Sequence, residues 1–401
     1  MSKKSPQLRF EGFTDDWEER KLNEVSDIYD GTHQTPKYQD DGVMFLSVEN
    51  IKTLTSNKFI SREAFEDEFK IRPQRGDVLM TRIGDIGTAN VVETDEDLAY
   101  YVSLALFKSE ELNPYFLQAS IYAPFVQDQI WKRTLHIAFP KKINKNEIGQ
   151  VPINVPTLEE QTKIGSFFKQ LDDTITLHQR KLDLLKEQKK GYLQKMFPKN
   201  GAKVPELRFA GFADDWEERK LGDILIERKT KSKISENIPL LAFASGQGVI
   251  NRSERKTNNR DFLTKDVNSK VYLLTKYNDI VYNPSNLKYG AIDRNKYGTG
   301  VISPIYVTFE TNQVPEFTEL IVTSHNFKKK ALQYEEGTVT KRQSVKPENL
   351  LTLNISISKS KEEQQKIGSF FKQLDDTIAL HQRKLDLLKE QKKGFLQKMF
   401  V

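Results

Sequence analysis

The chain has 401 residues, which is enough for two or three domains that each bury a core of their own. It contains no cysteine, which excludes disulfides and thiolate metal sites and favours a reducing compartment. The formal net charge of +6 is small beside 62 basic and 56 acidic residues, and residues 1–157 are acidic overall, with 19 basic and 25 acidic residues. Any nucleic acid would therefore have to meet that part of the chain at a local basic patch.

Sequence patterns for membrane insertion, metal binding and catalysis are missing. The start, MSKKSPQLRF, has no apolar signal core, and no run of about 18 apolar residues occurs, so we expect a soluble cytoplasmic protein without membrane contact. The histidines show no metal-ligand spacing. The string Asn283-Pro284-Ser285-Asn286 lacks the aromatic residue of the Asn-Pro-Pro-aromatic motif of amino-methyltransferases, so we interpret it as a turn after a strand. The sequence therefore predicts no catalytic, cofactor-binding or metal site.

Two repeats divide the chain. The opening PQLRFEGFTDDWEERKL, from Pro6, returns as PELRFAGFADDWEERKL from Pro205, and residues 159–197 return as residues 362–400 with only three changes. A repeat of this length predicts two copies of one scaffold. The predicted boundaries are a first domain over 1–157, a central helix over 158–200, a second domain over 201–357 and a C-terminal helix over 358–401.

The first domain mixes short apolar runs with turn signals, which predicts an α+β fold. A helix is predicted over Tyr115–Arg133 and an extended exit segment over Val151–Pro156, while Gly84 and Gly87 mark turns. The predicted strands are Val43–Val48, Asp77–Met80 and Ala89–Glu93.

The second domain has the same predicted order of elements, although most of its residues differ. Its predicted strands are Asp279–Tyr282, Val301–Phe309 and the exit strand Leu351–Ile357, with a helix over Phe317–Gln333 before the exit. Each domain also places its most basic segment between helix and exit strand, over 132–145 and over 328–346. The shared location favours an edge that contacts phosphates.

The long repeat has the spacing of a coiled coil. Apolar residues recur at alternating steps of four and three, and in the first copy only His178 and Lys189 interrupt the pattern. At 1.5 Å per residue the repeat forms a helix of about 58 Å, and two near-identical copies favour pairing with each other. The predicted seam residues are Ile164, Phe168, Leu171, Ile175, His178, Leu182 and Leu185, and their counterparts Ile367, Phe371, Leu374, Ile378, His381, Leu385 and Leu388.

The sequence resembles the specificity subunits of type I restriction-modification systems over nearly its whole length. The resemblance is carried by the junction VPINVPTLEEQTKI over 151–164, by the duplicated openings, and by GDVLMTRIGDIG over 76–87. The second junction, over 354–359, departs from the pattern because it lacks the prolines, so the end of the second domain is less well defined.

The resemblance implies a noncatalytic DNA-recognition subunit. Two α/β target recognition domains would each read one half of a bipartite, asymmetric site in double-stranded DNA. The two long helices would pair as an antiparallel coiled coil with an internal pseudo-two-fold repeat, set the spacing of the half-sites, and dock methyltransferase (M) subunits. Restriction/translocase (R) subunits are further implied partners. S-adenosylmethionine and ATP would be bound by those partners, with no cofactor in this chain.

Arg and Lys suit guanine, and Asn and Gln suit adenine, but most such lysines contact phosphate only. The candidate DNA-binding residues are Thr81, Arg82, Lys141 and Lys142 in the first domain, and Asn283, Lys288, Tyr289, Lys341, Arg342, Gln343 and Ser344 in the second. Two alternative functions remain open. A DNA methyltransferase with its own recognition domain would transfer methyl groups alone, and a purely structural coiled-coil protein would bind no DNA.

Antiparallel pairing of the helices also predicts the environment of the two seam histidines. A centre near Arg180 would place His178 against Leu385 and His381 against Leu182, in adjacent layers. Burial disfavours the protonated form of an imidazole. We therefore expect acid to loosen the coil.

Overall fold

A computed structural model describes residues 5–199, 201–244, 246–255, 270–336 and 343–401. The chain forms two compact units, of which unit 1 comprises Met1–Lys181 with His381–Val401 and unit 2 comprises Leu182–Leu380. Each unit holds one α+β domain and a part of each long helix. Of the helices in the described ranges, none has the length and apolar character needed to cross a bilayer.

The first domain is built on two small sheets. Its strands are β1 (Glu18–Lys21), β2 (Asp27–Asp30), β3 (Val43–Leu46), β4 (Phe59–Ile60), β5 (Val78–Thr81), β6 (Ala89–Val91), β7 (Leu98–Tyr100), β8 (Leu104–Lys108) and β9 (Pro152–Val155). A four-stranded antiparallel sheet has the order β2-β8-β5-β6, and a three-stranded sheet has the order β4-β3-β7. The opening strand β1 pairs with the exit strand β9, so both ends of the domain meet.

Strand β5 is buried on both faces. Val78 and Met80 belong to one apolar cluster, whereas Leu79 between them belongs to another. Because alternate side chains of a strand point to opposite faces, β5 separates two cores and is a continuous apolar run in the sequence. The loop that follows it therefore starts from a fixed position.

The helices of the first domain are short. They are α1 (Leu22–Val25), α2 (Arg62–Glu68), α3 (Pro114–Tyr122), α4 (Pro124–Lys132) and α5 (Lys145–Gly149). The prediction of one helix over Tyr115–Arg133 is wrong, because the segment breaks at Ala123, whose φ of −63° and ψ of 140° are extended. A residue before proline is pushed out of the helical region, and Pro124 then starts the next helix.

The second domain repeats the four-stranded sheet and the pairing of opening and exit strands, but its three-stranded sheet differs and a further sheet is present. Its strands are β10 (Glu217–Lys220), β11 (Leu225–Glu227), β12 (Lys231–Ser232), β13 (Leu241–Ala244), β14 (Gly248–Asn251), β15 (Tyr272–Thr275), β16 (Ile280–Tyr282), β17 (Ile292–Arg294), β18 (Gly300–Ile302), β19 (Val307–Thr311) and β20 (Asn354–Ile357). The four-stranded sheet has the order β11-β19-β16-β17, the three-stranded sheet has the order β12-β15-β18, and β10 pairs with β20. In the three-stranded sheet β15 and β18 are antiparallel where β3 and β7 are parallel, and β13 and β14 form the further sheet. Strand β16 corresponds to β5, with Ile280 and Tyr282 in one cluster and Val281 in another.

Two predicted elements of the second domain are divided. The helix predicted over Phe317–Gln333 is α7 (Pro315–Val322) followed by α8 (His325–Leu332), because the Ser324 hydroxyl accepts from the Phe327 amide and starts a new helix. The strand predicted over Val301–Phe309 is β18 and β19, which are separated by a turn where the Tyr306 amide donates to the Ser303 carbonyl over 3.0 Å. Helix α9 (Pro347–Leu351) precedes the exit strand.

The long helices α6 (Leu158–Lys195) and α10 (Lys361–Lys398) have 38 residues each, or about 57 Å. In unit 1, Lys392 donates to Asp172 over 2.5 Å, and His178 contacts His381 farther along α6. In unit 2, Lys189 donates to Asp375 over 2.5 Å, and the Tyr192 and Phe370 rings are 5.1 Å apart. Residues with increasing numbers along α6 contact residues with decreasing numbers along α10. The helices therefore pair in antiparallel directions within each unit, and the predicted α+β fold with an antiparallel coiled coil is confirmed.

Every predicted seam position is buried or partly buried. The arrangement of the two histidines differs from the expected one, because His178 Nδ1 and His381 Nδ1 lie 3.1 Å apart instead of occupying separate layers. The two residues are copies of one position, and copies near the centre of an antiparallel pair face each other. Burial lowers the pKa of His178, and the nearby charges of Lys384 and His381 lower it further.

Candidate nucleic-acid interface

In the first domain, the loop over residues 81–88 is folded tightly at the end of β5. The Thr81 amide donates to the Thr88 carbonyl over 2.9 Å, and the Thr81 hydroxyl accepts from the Thr88 amide over 3.0 Å. Gly84 and Gly87 have φ angles of 81° and 86°, which side chains with a Cβ rarely adopt. The two glycines therefore allow the sharp turns that the sequence indicated.

A hairpin over residues 135–142 packs against this loop and is closed by the Leu135 amide, which donates to the Lys142 carbonyl over 2.7 Å. The Gly84 amide donates to the Lys141 carbonyl over 2.8 Å. The next residue after the hairpin, Ile143, donates its amide to the Arg82 carbonyl over 2.9 Å. Backbone hydrogen bonds thus join the loop after β5 to the basic segment, although the two are far apart in sequence. We call this hydrogen-bonded junction the clasp.

Thr81 and Arg82, which were predicted to reach DNA bases, lie inside the domain. Thr81 is fully buried, and only 6% of Arg82 is exposed. The guanidinium of Arg82 pairs with Asp30, and its Nε donates to the Ile143 carbonyl over 3.1 Å. A charge removed from water needs such partners. Both side chains therefore position the loop and the hairpin in this structure.

Lys141 and Lys142 are exposed beside the clasp. The Lys141 ammonium lies 4.8 Å from the centre of the Trp131 ring, and Trp131 itself is 55% exposed. The His136 ring lies 4.1 Å from the same indole. Sequence reasoning passed over Trp131, although an aromatic residue directly before a basic pair was a usable signal. A basic and aromatic surface results, which suits contact with phosphates and bases.

In the second domain, Asn283 follows strand β16 and is 5% exposed. Its side-chain oxygen accepts from the Ser285 amide over 3.0 Å and starts a 3-10 helix over Pro284–Tyr289, which ends at Gly290 with a φ of 80°. The amide group of Asn283 is thus used to form a local turn, as expected for this string. Its side chain lies inside the domain in the same way as Arg82.

A clasp of the same kind closes the second interface. The Val345 amide donates to the Pro284 carbonyl over 3.1 Å. This bond corresponds to the one between the Ile143 amide and the Arg82 carbonyl in the first domain. Glu336 and Ser344 exchange two backbone hydrogen bonds of 2.9 Å. The Lys346 ammonium, which lies 2.8 Å from Glu336, lowers the pKa of that carboxyl.

The remaining predicted contact residues of the second domain lie around this clasp. Tyr289 is 69% exposed at the end of the 3-10 helix, with the Lys288 ammonium 5.5 Å from its ring centre. Lys288 also lies 3.7 Å from Glu335. Gln343 and Ser344 are partly buried. Lys341 and Arg342 lie outside the described residues, so their predicted contacts stay predictions.

The two interfaces share the backbone hydrogen bond between the basic segment and the loop after the central strand, and they differ in their side chains. Trp131, Lys141 and Lys142 in the first domain have no identical counterparts beside Lys288 and Tyr289 in the second. In the part of the chain that the structure describes, no group of His, Asp and Glu side chains is arranged to hold a metal ion. These features define a class of protein in which one duplicated scaffold presents two unlike surfaces.

A family model described as the type I restriction modification DNA specificity domain matches residues 14–187 and, in a second copy, residues 213–390. The chain therefore belongs to this family. The two matches include both interfaces and most of both long helices. They also agree with the duplication that the sequence repeats indicate.

Similar proteins agree with this assignment. The MjaX specificity subunit of a type I restriction enzyme from Methanocaldococcus jannaschii is 25% identical over 253 residues, which are 59% of this chain and 58% of that protein. The MjaVIII specificity subunit from the same organism is 25% identical over 190 residues, 44% of each chain. The chain thus matches about half of the length of these relatives. The crystal structure of a type I restriction-modification S subunit from M. genitalium shares the fold, with a TM-score of 0.66, 13% identity and 99% of both chains covered.

Proposed function

We propose that this chain is the DNA sequence-specificity subunit of a type I restriction-modification complex. Each domain reads one half of a bipartite, asymmetric DNA site, and the paired helices set the distance between the half-sites. The chain itself is noncatalytic. It works in the cytoplasm, where DNA and the partner subunits are present.

One observation carries this proposal: in both domains the loop after the central strand is joined by a backbone hydrogen bond to the basic segment, but the side chains presented there differ. A scaffold that reads two different half-sites needs this combination, because the backbone sets the approach while the side chains select the bases. In the first domain the exposed candidates are Lys141 and Lys142, whereas in the second Tyr289 is exposed and Lys288 beside it is partly buried. The lysines fit phosphate contacts, and Tyr289 fits a base contact.

The near-identical helices support docking of the same partner on both halves. Leu177 and its copy Leu380 are 66% and 59% exposed, and Leu184 and its copy Leu387 are 51% and 58% exposed. Large apolar side chains that stay exposed at duplicated positions are typical of a protein contact. We assign these helices to methyltransferase subunits, which supply S-adenosylmethionine chemistry. Restriction/translocase subunits, which use ATP, then join the complex.

The alternative functions make different predictions in one experiment. The chain, assembled with its cognate methyltransferase subunit, is used to select DNA from a random pool, and the recovered molecules are sequenced. The proposal predicts two fixed blocks separated by a spacer of constant length. Substituting Tyr289 should alter only one block, whereas substituting Lys141 and Lys142 should weaken binding without altering either. A structural coiled-coil protein would recover no motif, and methyl transfer by this chain alone would identify an enzyme.

A further inference from the structure

The tip of the hairpin over residues 135–142 carries two large apolar side chains that nothing in the described part of the domain covers. Ile137 and Phe139 are 100% and 104% exposed, that is, as exposed as in an isolated peptide. Scattered exposed apolar residues are normal, but they usually bury part of their surface. A phenyl ring held fully in water next to an interface indicates a ligand that covers it.

The base of this hairpin holds the tip in a defined place. Leu135 bonds to Lys142, and the Lys141 carbonyl accepts from Gly84 in the loop after β5. That loop is itself fixed by the buried side chains of Thr81 and Arg82. The exposed ring is therefore carried by the same clasp that presents the basic surface, and not by a loose end of the chain.

Cationic groups flank the apolar tip. Lys141 and Lys142 follow it in the hairpin, and Arg133 precedes it at the end of α4. Proteins that deform DNA combine such cations, which hold the phosphates, with an apolar wedge that enters between two stacked base pairs. Phe139 supplies such an apolar ring, and Lys141, Lys142 and Arg133 supply the cations.

The alternative occupant is a partner protein, and the duplication argues against it. A partner that meets both halves alike would use the near-identical helices, whereas the hairpin tip belongs to the part of the domain that differs. The corresponding sequence between Glu336 and Ser344 is GTVTKRQ, which has no aromatic residue. The exposed ring is thus specific to the first domain and to the DNA surface that this domain carries.

We propose that Phe139, with Ile137 beside it, inserts between two stacked base pairs of the half-site that the first domain reads. This inference rests on the proposed function and adds a residue that unstacks the DNA. Specificity in this half-site then depends in part on how easily one base step opens, as well as on direct contacts. The corresponding segment of the second domain has no aromatic residue in its sequence that could serve as a wedge.

The test uses the full chain in complex with its methyltransferase subunit and duplexes that carry 2-aminopurine at successive positions of the first half-site. Unstacking raises 2-aminopurine fluorescence, so the wild-type complex should give an increase at one step other than the position of the base that the methyltransferase subunit flips out. Phe139→Ala should abolish the increase and weaken binding by roughly tenfold, since stacking on one aromatic ring supports that much affinity. Phe139→Trp should retain both effects. Ile305→Ala, which shortens a side chain that is 61% exposed in the second domain, is the matched control and should bind as the wild type does.

The results separate the two proposals. Specific binding by the wild-type complex with no fluorescence change outside the flipped base, or with Phe139→Ala equal to the wild type, overturns the wedge alone. Loss of complex assembly in Phe139→Ala, with the DNA signal intact in the complex that remains, assigns the ring to a protein contact and also overturns it. Failure of the wild-type complex to bind any specific sequence overturns the proposed function, and the wedge with it.

Discussion

The guanidinium of Arg9 donates two hydrogen bonds, of 2.7 and 2.8 Å, to the fully buried carboxylate of Glu160. The first duplicated opening is thereby fastened to the first turn of α6. Arg208 and Glu363 repeat the pair at 2.6 and 2.9 Å in the second half. The shared geometry of the two copies explains why the ELRF-type openings and the helix starts occur together in the sequence.

Removal of the Glu160 charge should destabilise the first domain. Glu160→Gln leaves the Arg9 guanidinium without its counter-charge in a largely buried site, and breaking such a pair costs about 3 kcal/mol. Hydrogen exchange of the first-domain amides should therefore accelerate. Glu159→Gln is the control, because that side chain is 77% exposed. Equal exchange in the two variants would contradict the role assigned to the pair.

Arg82 should act on the fold of the first domain more than on base selection. Arg82→Ala removes the ion pair with Asp30 and the bond to the Ile143 carbonyl, so it should lower the free energy of unfolding by about 2 kcal/mol. Thermal unfolding of the complex measures this change. A variant with wild-type stability and a changed base preference would show instead that Arg82 reads a base.

Lys141 and Lys142 should contribute to affinity by neutralising phosphates. The double variant Lys141→Ala, Lys142→Ala should lower affinity for all sequences and reduce the slope of log K against log salt by about 1 for each phosphate that is no longer neutralised. Lys52→Ala, at another exposed position of the same domain, provides the comparison. An unchanged salt slope would place DNA away from the hairpin.

Tyr289 should influence only the second half-site. Tyr289→Ala removes an exposed ring at the end of the 3-10 helix, and without this aromatic surface for a base to stack on, binding should weaken by roughly tenfold. The effect should vanish on DNA whose second half-site is scrambled and persist when the first is scrambled. Tyr277→Ala, which alters a tyrosine 54% exposed, is the control. Equal reductions in affinity on both DNAs would show that Tyr289 does not read the second half-site.

Acid should weaken helix pairing near His178 and His381. Because the folded state lowers the pKa of His178 below its ordinary value of 6.5, the unfolded state binds protons more readily. The stability that depends on neutral His178 is complete above that pH and is lost as the pH falls through 6.5 towards the lowered pKa. A variant with His178→Leu and His381→Leu should lose this dependence. Identical changes in melting temperature between pH 7.5 and pH 5.5 for variant and wild type would contradict the prediction.

The repeated and periodic features were predictable from the sequence. Side chains such as Ile164 and Phe168 recur at coiled-coil spacing, and the two copies specify each other as partners. The break at Ala123 was also present in the sequence as Pro124, but the apolar pattern on both sides concealed it. The turn between β18 and β19 was likewise present in the sequence as Ser303-Pro304, but the apolar residues on both sides concealed it.

The reading surfaces were less predictable. Arg82 has the chemistry of a base-reading residue, yet its contacts with Asp30 and Ile143 come from segments far away in sequence. Phe139 has the composition of a core residue, yet it is fully exposed. Whether a side chain is covered depends on the tertiary contacts of its neighbours, which residue type and spacing do not specify.

A genome-wide map of methylated bases tests the central claim most directly. Cells that carry the cognate methyltransferase subunit are compared with and without this chain. The account predicts that a bipartite motif with a fixed spacer becomes methylated only when the chain is present. Methylation that is independent of the chain, or no methylation despite an assembled complex, would contradict it.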